Sequence, residues 1–113
     1  MSTVGHGGIV AIDDTVDKAR MARYAMHFCA VESCGKCTPC RVGAVRGVEL
    51  LDAMLDARSG GANDDTLLRE LCQTMLEGSL CAMGGMTPYP VLSALNHYPE
   101  DFGLAPKREE KVA

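Results

Sequence analysis

Tryptophan is absent from this 113-residue sequence, which contains only three Tyr and two Phe. A protein that binds nucleic acid by stacking bases on aromatic rings would have few rings to use. Positive charge is also scarce, because 15 acidic residues outnumber 11 basic ones and the formal net charge is −4. The composition therefore argues against nucleic-acid binding and against electrostatic attachment to an anionic membrane.

A membrane-spanning stretch is also missing. The longest run without Asp, Glu, Lys or Arg is Gly78–Pro99, and it contains three Pro and three Gly, which makes it a poor span. The first residues, Met1–His6, show no basic start followed by an apolar core, so no secretory signal peptide is predicted. We expect a soluble cytoplasmic protein with reduced thiols and no direct membrane insertion.

The chain length is typical of one domain, and the hydrophobic fraction of 47% is ordinary for a globular protein. The predicted fold is all-α, a small four-helix bundle preceded by one short unpartnered β-strand. We expect residues 1–14 to hold this strand, left over from or pairing with an upstream sheet domain. Residues 15–105 are predicted to form the helical domain, and residues 106–113 a mobile charged tail.

Four helices are predicted from capping residues and apolar spacing. They are a first helix from Asp13–Thr15 to about Val31, a second from Thr38–Pro39 to Gly60–Gly61, a third beginning at Asn63–Asp65 and a fourth beginning within Thr87–Pro90. The predicted strand is Gly8–Ile12, a β-branched run without a partner strand in this sequence. Gly43 and Gly47 lie one turn apart in the second helix, which predicts the close approach of another backbone.

Six cysteines are present, three of them in Cys34-Gly-Lys-Cys37-Thr-Pro-Cys40. The pattern C-x2-C-x2-C is typical of iron–sulfur sites, since one loop brings several thiolates onto a single cluster. Zinc sites more often use separate pairs of ligands. A bacterial ferredoxin would have a fourth Cys where this sequence has Ala44, so the fourth ligand is predicted to be distant in sequence.

Three cysteines remain for the fourth ligand position. Cys81 lies in the Gly-rich segment Ser79–Gly85, where backbone can approach a large cofactor. Cys72 belongs to the apolar face of the third helix, and Cys29 lies within the first, so both are predicted to be buried core residues. The hypothesis is one 4Fe–4S cluster bound by the four cysteines Cys34, Cys37, Cys40 and Cys81. A structural zinc module that mediates protein contacts is the alternative, and disulfides or unliganded thiols are a third.

The predicted N-terminus of the second helix, Thr38–Pro39, would place its free N–H groups beside an anionic cluster. The cations Lys36, Arg41 and Arg46 are expected to favour the reduced state of that cluster. His27 and His97 are predicted to be ordinary surface or half-buried histidines. No arrangement of residues typical of nucleophilic catalysis is visible.

The sequence resembles a known family at three segments, Glu32–Gly43, Gly78–Gly85 and Tyr98–Phe102. The family is the C-terminal iron–sulfur region of NADH-dehydrogenase flavoprotein subunits. It includes the complex I flavoprotein subunit, the diaphorase subunit of NAD-reducing hydrogenases and the beta subunit of NAD-dependent formate dehydrogenases. Segment Gly5–Asp14 is most similar to the formate dehydrogenase branch.

The resemblance implies a helical bundle whose 4Fe–4S cluster exchanges electrons with FMN, and it matches Cys34, Cys37, Cys40 and Cys81 to the ligands. The flavin- and NADH-binding domain of the family is absent from these residues, and no segment recognisable for FMN or NAD binding is present. We therefore expect an electron-transfer module of a multi-subunit NAD-linked oxidoreductase that is not catalytic alone. Its expected partners are a flavin/NADH-binding domain or subunit and other iron–sulfur subunits, with FMN and NAD bound there.

Overall fold

The structure is a computed structural model that describes residues 7–58 and 63–104. The described residues form four helices of ten residues or more, one helix of five residues and a 3-10 helix. Their bounds are α1 Lys18–Glu32, α2 Thr38–Ala57, α3 Thr66–Gly78, α4 Ala82–Met86, α5 Pro88–His97 and the 3-10 helix Pro99–Phe102. The predicted all-α fold is confirmed.

A single hydrophobic core lies between the helices. Helix α1 packs against α2 and α5, while α2 also packs against α3. Every described helix contributes a buried apolar side chain except the short α4, whose buried residue is Gly84. The buried hydrophobic residues are Ala19, Ala22, Met26, Cys29, Cys40, Ala44, Leu51, Met54, Leu68, Cys72, Met75, Val91, Leu95 and Phe102.

Helix α1 begins later than predicted, because its cap is Asp17 and not one of Asp13–Thr15. The Asp17 carboxylate accepts hydrogen bonds from the N–H groups of Ala19 and Arg20, which satisfies two of the free donors of the first turn. The Asp13 carboxylate instead accepts the backbone N–H of Thr15 at 3.0 Å. Asp13, Asp14, Thr15 and Asp17 can all cap a helix, so local sequence indicates a helix start without fixing which residue is the cap.

The start of α3 shows the same division of roles among neighbouring polar residues. Asp65 occupies the cap position, and the Asp64 carboxylate accepts the N–H of Thr66 at 2.9 Å. Asn63 does not cap the helix. Its side-chain amide donates to two backbone carbonyls, those of Met54 at 2.8 Å and Phe102 at 2.7 Å, and so ties the end of α2 to the 3-10 helix.

The glycines of α2 meet side chains of two different helices. A Cβ at Gly43 would lie 2.8 Å from Cγ of Met75 in α3, and a Cβ at Gly47 would lie 2.8 Å from Cε of Met26 in α1. The predicted close approach is present, but its nearest atoms belong to methionine side chains and not to another backbone. Methionine is suited to this role because its unbranched side chain fills irregular gaps.

The prediction of a strand at Gly8–Ile12 is wrong for this structure, because no strand occurs among the described residues. Ile9 and Val10 are 89% and 77% exposed. A single extended segment has no neighbour to bind its N–H and C=O groups, so it gains no ladder of hydrogen bonds. The predicted tail at 106–113 and the predicted end of the second helix at Gly60–Gly61 lie outside the described residues.

Among the described residues, no helix combines the length and the apolar character that crossing a membrane requires.

Candidate iron–sulfur site

The segment with three cysteines forms the connection from α1 to α2. Gly35 has φ +77°, a left-handed conformation that glycine adopts without steric cost. The guanidinium of Arg41 donates to the Gly35 carbonyl at 2.8 Å, which holds the turn against the first turn of α2. The local sequence thus places Cys37 at the N-cap of α2 and Cys40 inside its first turn.

The predicted ligands differ in exposure. Cys34 and Cys81 are exposed, Cys37 is half-buried and Cys40 is buried. Cys81 lies at the N-cap of α4, so a short helix begins within the Gly-rich segment Ser79–Gly85. The small residues of this segment, Gly84 above all, allow that helix to approach the core closely.

Two contacts join the Cys81 segment to the start of α2. The backbone N–H of Leu80, the residue before Cys81, lies close enough to the Cys37 thiol to lower its pKa. A Cβ at Gly84 would lie 2.7 Å from Cβ of Cys40. The turn before α2 and the segment around α4 are therefore adjacent, although they are distant in sequence.

Two backbone N–H groups and one cation lie near the Cys37 thiol. Its pKa is lowered first by the N–H of Leu80, then by the N–H of Cys40, with a further contribution from the charge of Arg41. The N-terminus of a helix as long as α2 favours negative charge for the same reason, since its N–H groups are free. A Cys37 thiolate is consequently stabilised by the surrounding chain.

The three predicted cations behave differently from one another. Arg41 donates a hydrogen bond to the carbonyl of Gly35, which lies between Cys34 and Cys37. Arg46 forms an exposed ion pair with Glu49 at 2.6 Å, and Lys36 is exposed. Within the described residues, Arg41 is the cation whose charge reaches a predicted ligand.

Within residues 7–58 and 63–104, no three His, Cys, Asp or Glu side chains lie where they could hold a single metal ion. A cubane cluster makes a different demand on its ligands, because each of its four thiolates binds a different iron atom. His27 and His97 are both exposed, and His6 lies outside the described residues.

Cys72 is buried in α3, as predicted. Burial raises the pKa of its thiol to about 11. A thiol with so high a pKa has little thiolate at neutral pH and is a poor metal ligand and a poor nucleophile.

Cys29 is also buried as predicted, but it has a neighbour that the sequence did not indicate. Its sulfur lies 3.8 Å from the sulfur of Cys40, and burial raises the pKa of its thiol, with the nearby Cys40 acting in the same direction. The hydroxyl of Ser33 lies 3.3 Å from the same Cys40 sulfur. The spacing of Cys29 and Ser33 is an indirect signal of this arrangement. The two residues are four positions apart, so they share one face at the end of α1 and can contact the same neighbour.

Comparison with known proteins supports an iron–sulfur cofactor. The family model described as "NADH-ubiquinone oxidoreductase-F iron-sulfur binding region" matches residues 20–105. The NADP-reducing hydrogenase subunit HndC of Solidesulfovibrio fructosivorans is 33% identical over 89% of this chain and 20% of its own length. An NADH-quinone oxidoreductase subunit of Rhizobium meliloti (strain 1021) is 35% identical over 89% of this chain and 24% of its own length.

The mitochondrial NADH-ubiquinone oxidoreductase 51 kDa subunit of Neurospora crassa is 28% identical over 86% of this chain and 20% of its own length. The chain thus spans between about a fifth and a quarter of the length of these curated relatives. The matched range, residues 20–105, covers most of the chain and spans the positions of the four predicted ligands. This chain therefore belongs to the family of the NADH-ubiquinone oxidoreductase-F iron–sulfur binding region, whose cofactor is a 4Fe–4S cluster.

Proposed function

We propose that this chain holds one 4Fe–4S cluster through Cys34, Cys37, Cys40 and Cys81 and passes single electrons within an NAD-linked oxidoreductase complex. The observation that carries the proposal is the double contact between the two cysteine segments, Leu80 against Cys37 and Gly84 against Cys40. These contacts support a ligand set in which a cysteine distant in sequence joins the three of the segment Cys34–Cys40.

The residues present fit a cluster of this kind. The donor set is four thiols, the ligand type that iron–sulfur clusters require. The hydroxyl oxygen of Ser79, two residues before Cys81, is buried and has no hydrogen-bond partner among the described residues. A buried hydroxyl normally has a partner, and a sulfide-rich cofactor beside it would supply an acceptor.

The chemistry that the cluster supplies when bound is reversible one-electron transfer. The chain's own residues would set the conditions for that transfer. The free N–H groups at the start of α2 and the charge of Arg41 stabilise negative charge on the thiolates. The left-handed Gly35 and its hydrogen bond from Arg41 hold the turn in one conformation.

Reconstitution under anaerobic conditions tests the cluster directly. The full chain is incubated with ferrous iron and sulfide, desalted, and assayed for iron, acid-labile sulfide and visible absorption. We expect about four irons and about four sulfides per chain, with a broad charge-transfer absorption. One tightly bound zinc ion per chain with no colour would instead support a structural zinc module and overturn the proposal.

We propose further that the partner is a flavin- and NADH-binding domain or subunit. A cavity of about 680 Å³ with almost wholly apolar walls lies between α1, α4 and α5. Tyr24 and Phe28 line it and are 67% and 55% exposed. Cys29 and Met83 also belong to its walls, so a domain seated there would lie next to the cysteine site. Exposed aromatic side chains that line one groove are a feature of protein interaction sites.

We assign the complex to the formate dehydrogenase type, on the resemblance of residues Gly5–Asp14 to that branch. Isolation of the native complex through a tag on this chain tests the assignment. The expected result is co-purification with FMN-containing and other iron–sulfur polypeptides, and formate-dependent reduction of NAD. A complex that oxidises NADH but does not act on formate would contradict the formate assignment and leave the electron-transfer role in place.

A further inference from the structure

Cys40 differs from the other predicted ligands in its surroundings. It is 4% exposed, and two side chains with hydrogen-bonding protons contact its sulfur. The Ser33 hydroxyl oxygen lies 3.3 Å away and the Cys29 sulfur 3.8 Å away. The hydrogen-bond donors around Cys37 are backbone N–H groups, which no side-chain substitution removes. Cys40 is therefore the ligand whose environment depends on particular side chains.

The direction of these hydrogen bonds follows from the chemistry of a bound thiolate. A cysteine that binds iron has lost its proton, so Cys40 can only accept. The Ser33 hydroxyl oxygen already accepts the backbone N–H of Gly35 at 3.2 Å. Its own proton is consequently free for the Cys40 sulfur.

Cys29 is the weaker of the two donors. A thiol is a weaker hydrogen-bond donor than a hydroxyl, and the contact is longer. The carbonyl oxygen of Met83, 3.9 Å from the Cys29 sulfur, is a competing acceptor for the same proton. The position of Ser33 is better defined, because its backbone N–H donates to the Cys29 carbonyl at 2.9 Å and closes the end of α1.

We propose that Ser33 is a positioning residue that donates its hydroxyl proton to the Cys40 thiolate and raises the reduction potential of the cluster. The inference rests on the proposed function, since it takes Cys40 as a ligand. Reduction adds an electron that is shared between iron and its sulfur ligands, so a hydrogen bond to sulfur stabilises the reduced state more than the oxidised state. Hydrogen bonds to the sulfurs are among the factors that set the potentials of iron–sulfur clusters.

The test is a redox titration of the cluster-loaded full chain, followed by electron paramagnetic resonance of the reduced state. The wild type is compared with Ser33→Ala, which removes the hydroxyl, and Ser33→Thr, which keeps it. At the wild-type midpoint potential we expect Ser33→Ala to show about a tenfold lower ratio of reduced to oxidised cluster. That change equals a shift of about 59 mV to more negative potential for a one-electron couple. Ser33→Thr is expected to stay near the wild type.

Two results would overturn the inference while leaving the proposed function intact. One is an unchanged midpoint in a Ser33→Ala protein with full iron content. The other is an equal shift in Ser33→Thr, which would make packing and not the hydroxyl responsible. If Ser33→Ala does not load, Ser33→Gly also removes the hydroxyl at this helix end and is expected to give the same shift. A wild-type chain that loads no iron–sulfur cluster would overturn both the proposed function and the inference.

Discussion

The backbone N–H of Leu80 lies beside the thiol of Cys37 and lowers its pKa. This contact joins the segment before α4 to the N-terminus of α2. Because Cys81 is the residue after Leu80, Cys81 lies near the segment Cys34–Cys40. The predicted ligand set depends on the proximity of these two segments, and substitutions in each segment test the set.

Replacement of Cys81 by Ser is expected to remove or degrade the cluster, because the softer thiolate is the ligand that iron–sulfur clusters require. Iron content and visible absorption after anaerobic reconstitution measure the loss. The matched control is Cys72→Ala, a cysteine buried in α3 away from the turn. This control is expected to retain the cluster and to lower the free energy of unfolding by about 1 kcal/mol. The reverse result, with the cluster kept in Cys81→Ser and lost in Cys72→Ala, would show that the ligand assignment is wrong.

Replacement of Gly84 by Ala tests the contact between α4 and Cys40. A Cβ at position 84 would lie 2.7 Å from Cβ of Cys40 and would also contact Ser79, so α4 must move outward. We expect the free energy of unfolding to fall by about 1–3 kcal/mol and the iron content to fall with it. Urea denaturation and iron analysis are the measurements.

Gly85→Ala is the control for that substitution, because a Cβ at Gly85 meets no atom within 4 Å. The added methyl group should leave the cluster intact and stabilise α4 by up to about 1 kcal/mol, since Ala favours helix more than Gly. Equal losses in the two variants would count against close packing of α4 on Cys40.

Alkaline pH is expected to destabilise the wild type through Cys72. Burial raises the pKa of this thiol from an ordinary 9.0 to about 11, so the unfolded chain releases the proton at lower pH than the folded chain. The contribution of the neutral thiol to stability is complete below about pH 9 and is lost as the pH rises towards 11. The loss amounts to at most about 1.4 kcal/mol for each pH unit in that window.

Urea denaturation at pH 8 and at pH 10 measures this effect, with Cys72→Ala as the comparison. The wild type should lose more stability between the two pH values than the variant does, because the variant has no thiol to ionise. Parallel pH dependence in the two proteins would contradict the role assigned to Cys72.

Replacement of Asn63 by Ala should lower the free energy of unfolding by about 2 kcal/mol. The substitution removes the hydrogen bonds that Asn63 donates to the carbonyls of Met54 and Phe102, and the loss of a donor to a partly buried acceptor is destabilising. The control is Asn96→Ala, an exposed residue whose side chain accepts a hydrogen bond from Arg69; its expected effect is within about 0.5 kcal/mol. Similar effects of the two substitutions on urea denaturation would show that Asn63 does not tie α2 to the 3-10 helix.

Features that depend on neighbours in sequence were predicted well. Apolar spacing predicted the four longer helices, and the cysteine pattern together with the resemblance predicted the family and its 4Fe–4S cofactor. The exact caps were less predictable, because Asp13, Asp17 and Asn63 have similar chemistry and differ mainly in what lies near them in the fold. The strand predicted at Gly8–Ile12 is not present, because a β-branched run does not by itself supply the partner strand that its N–H and C=O groups need.

Sequence alone was sufficient for the four longer helices and for the motif Cys34–Cys40 that marks the iron–sulfur family, because both follow from residues within a few positions of one another. Only the tertiary structure brought Ser33 and Cys29 to Cys40, Gly84 to the same cysteine, and Asn63 to two distant carbonyls. Contacts between helices depend on how whole side-chain surfaces pack, and a spacing pattern within one helix carries no information about which residue of another helix it will meet.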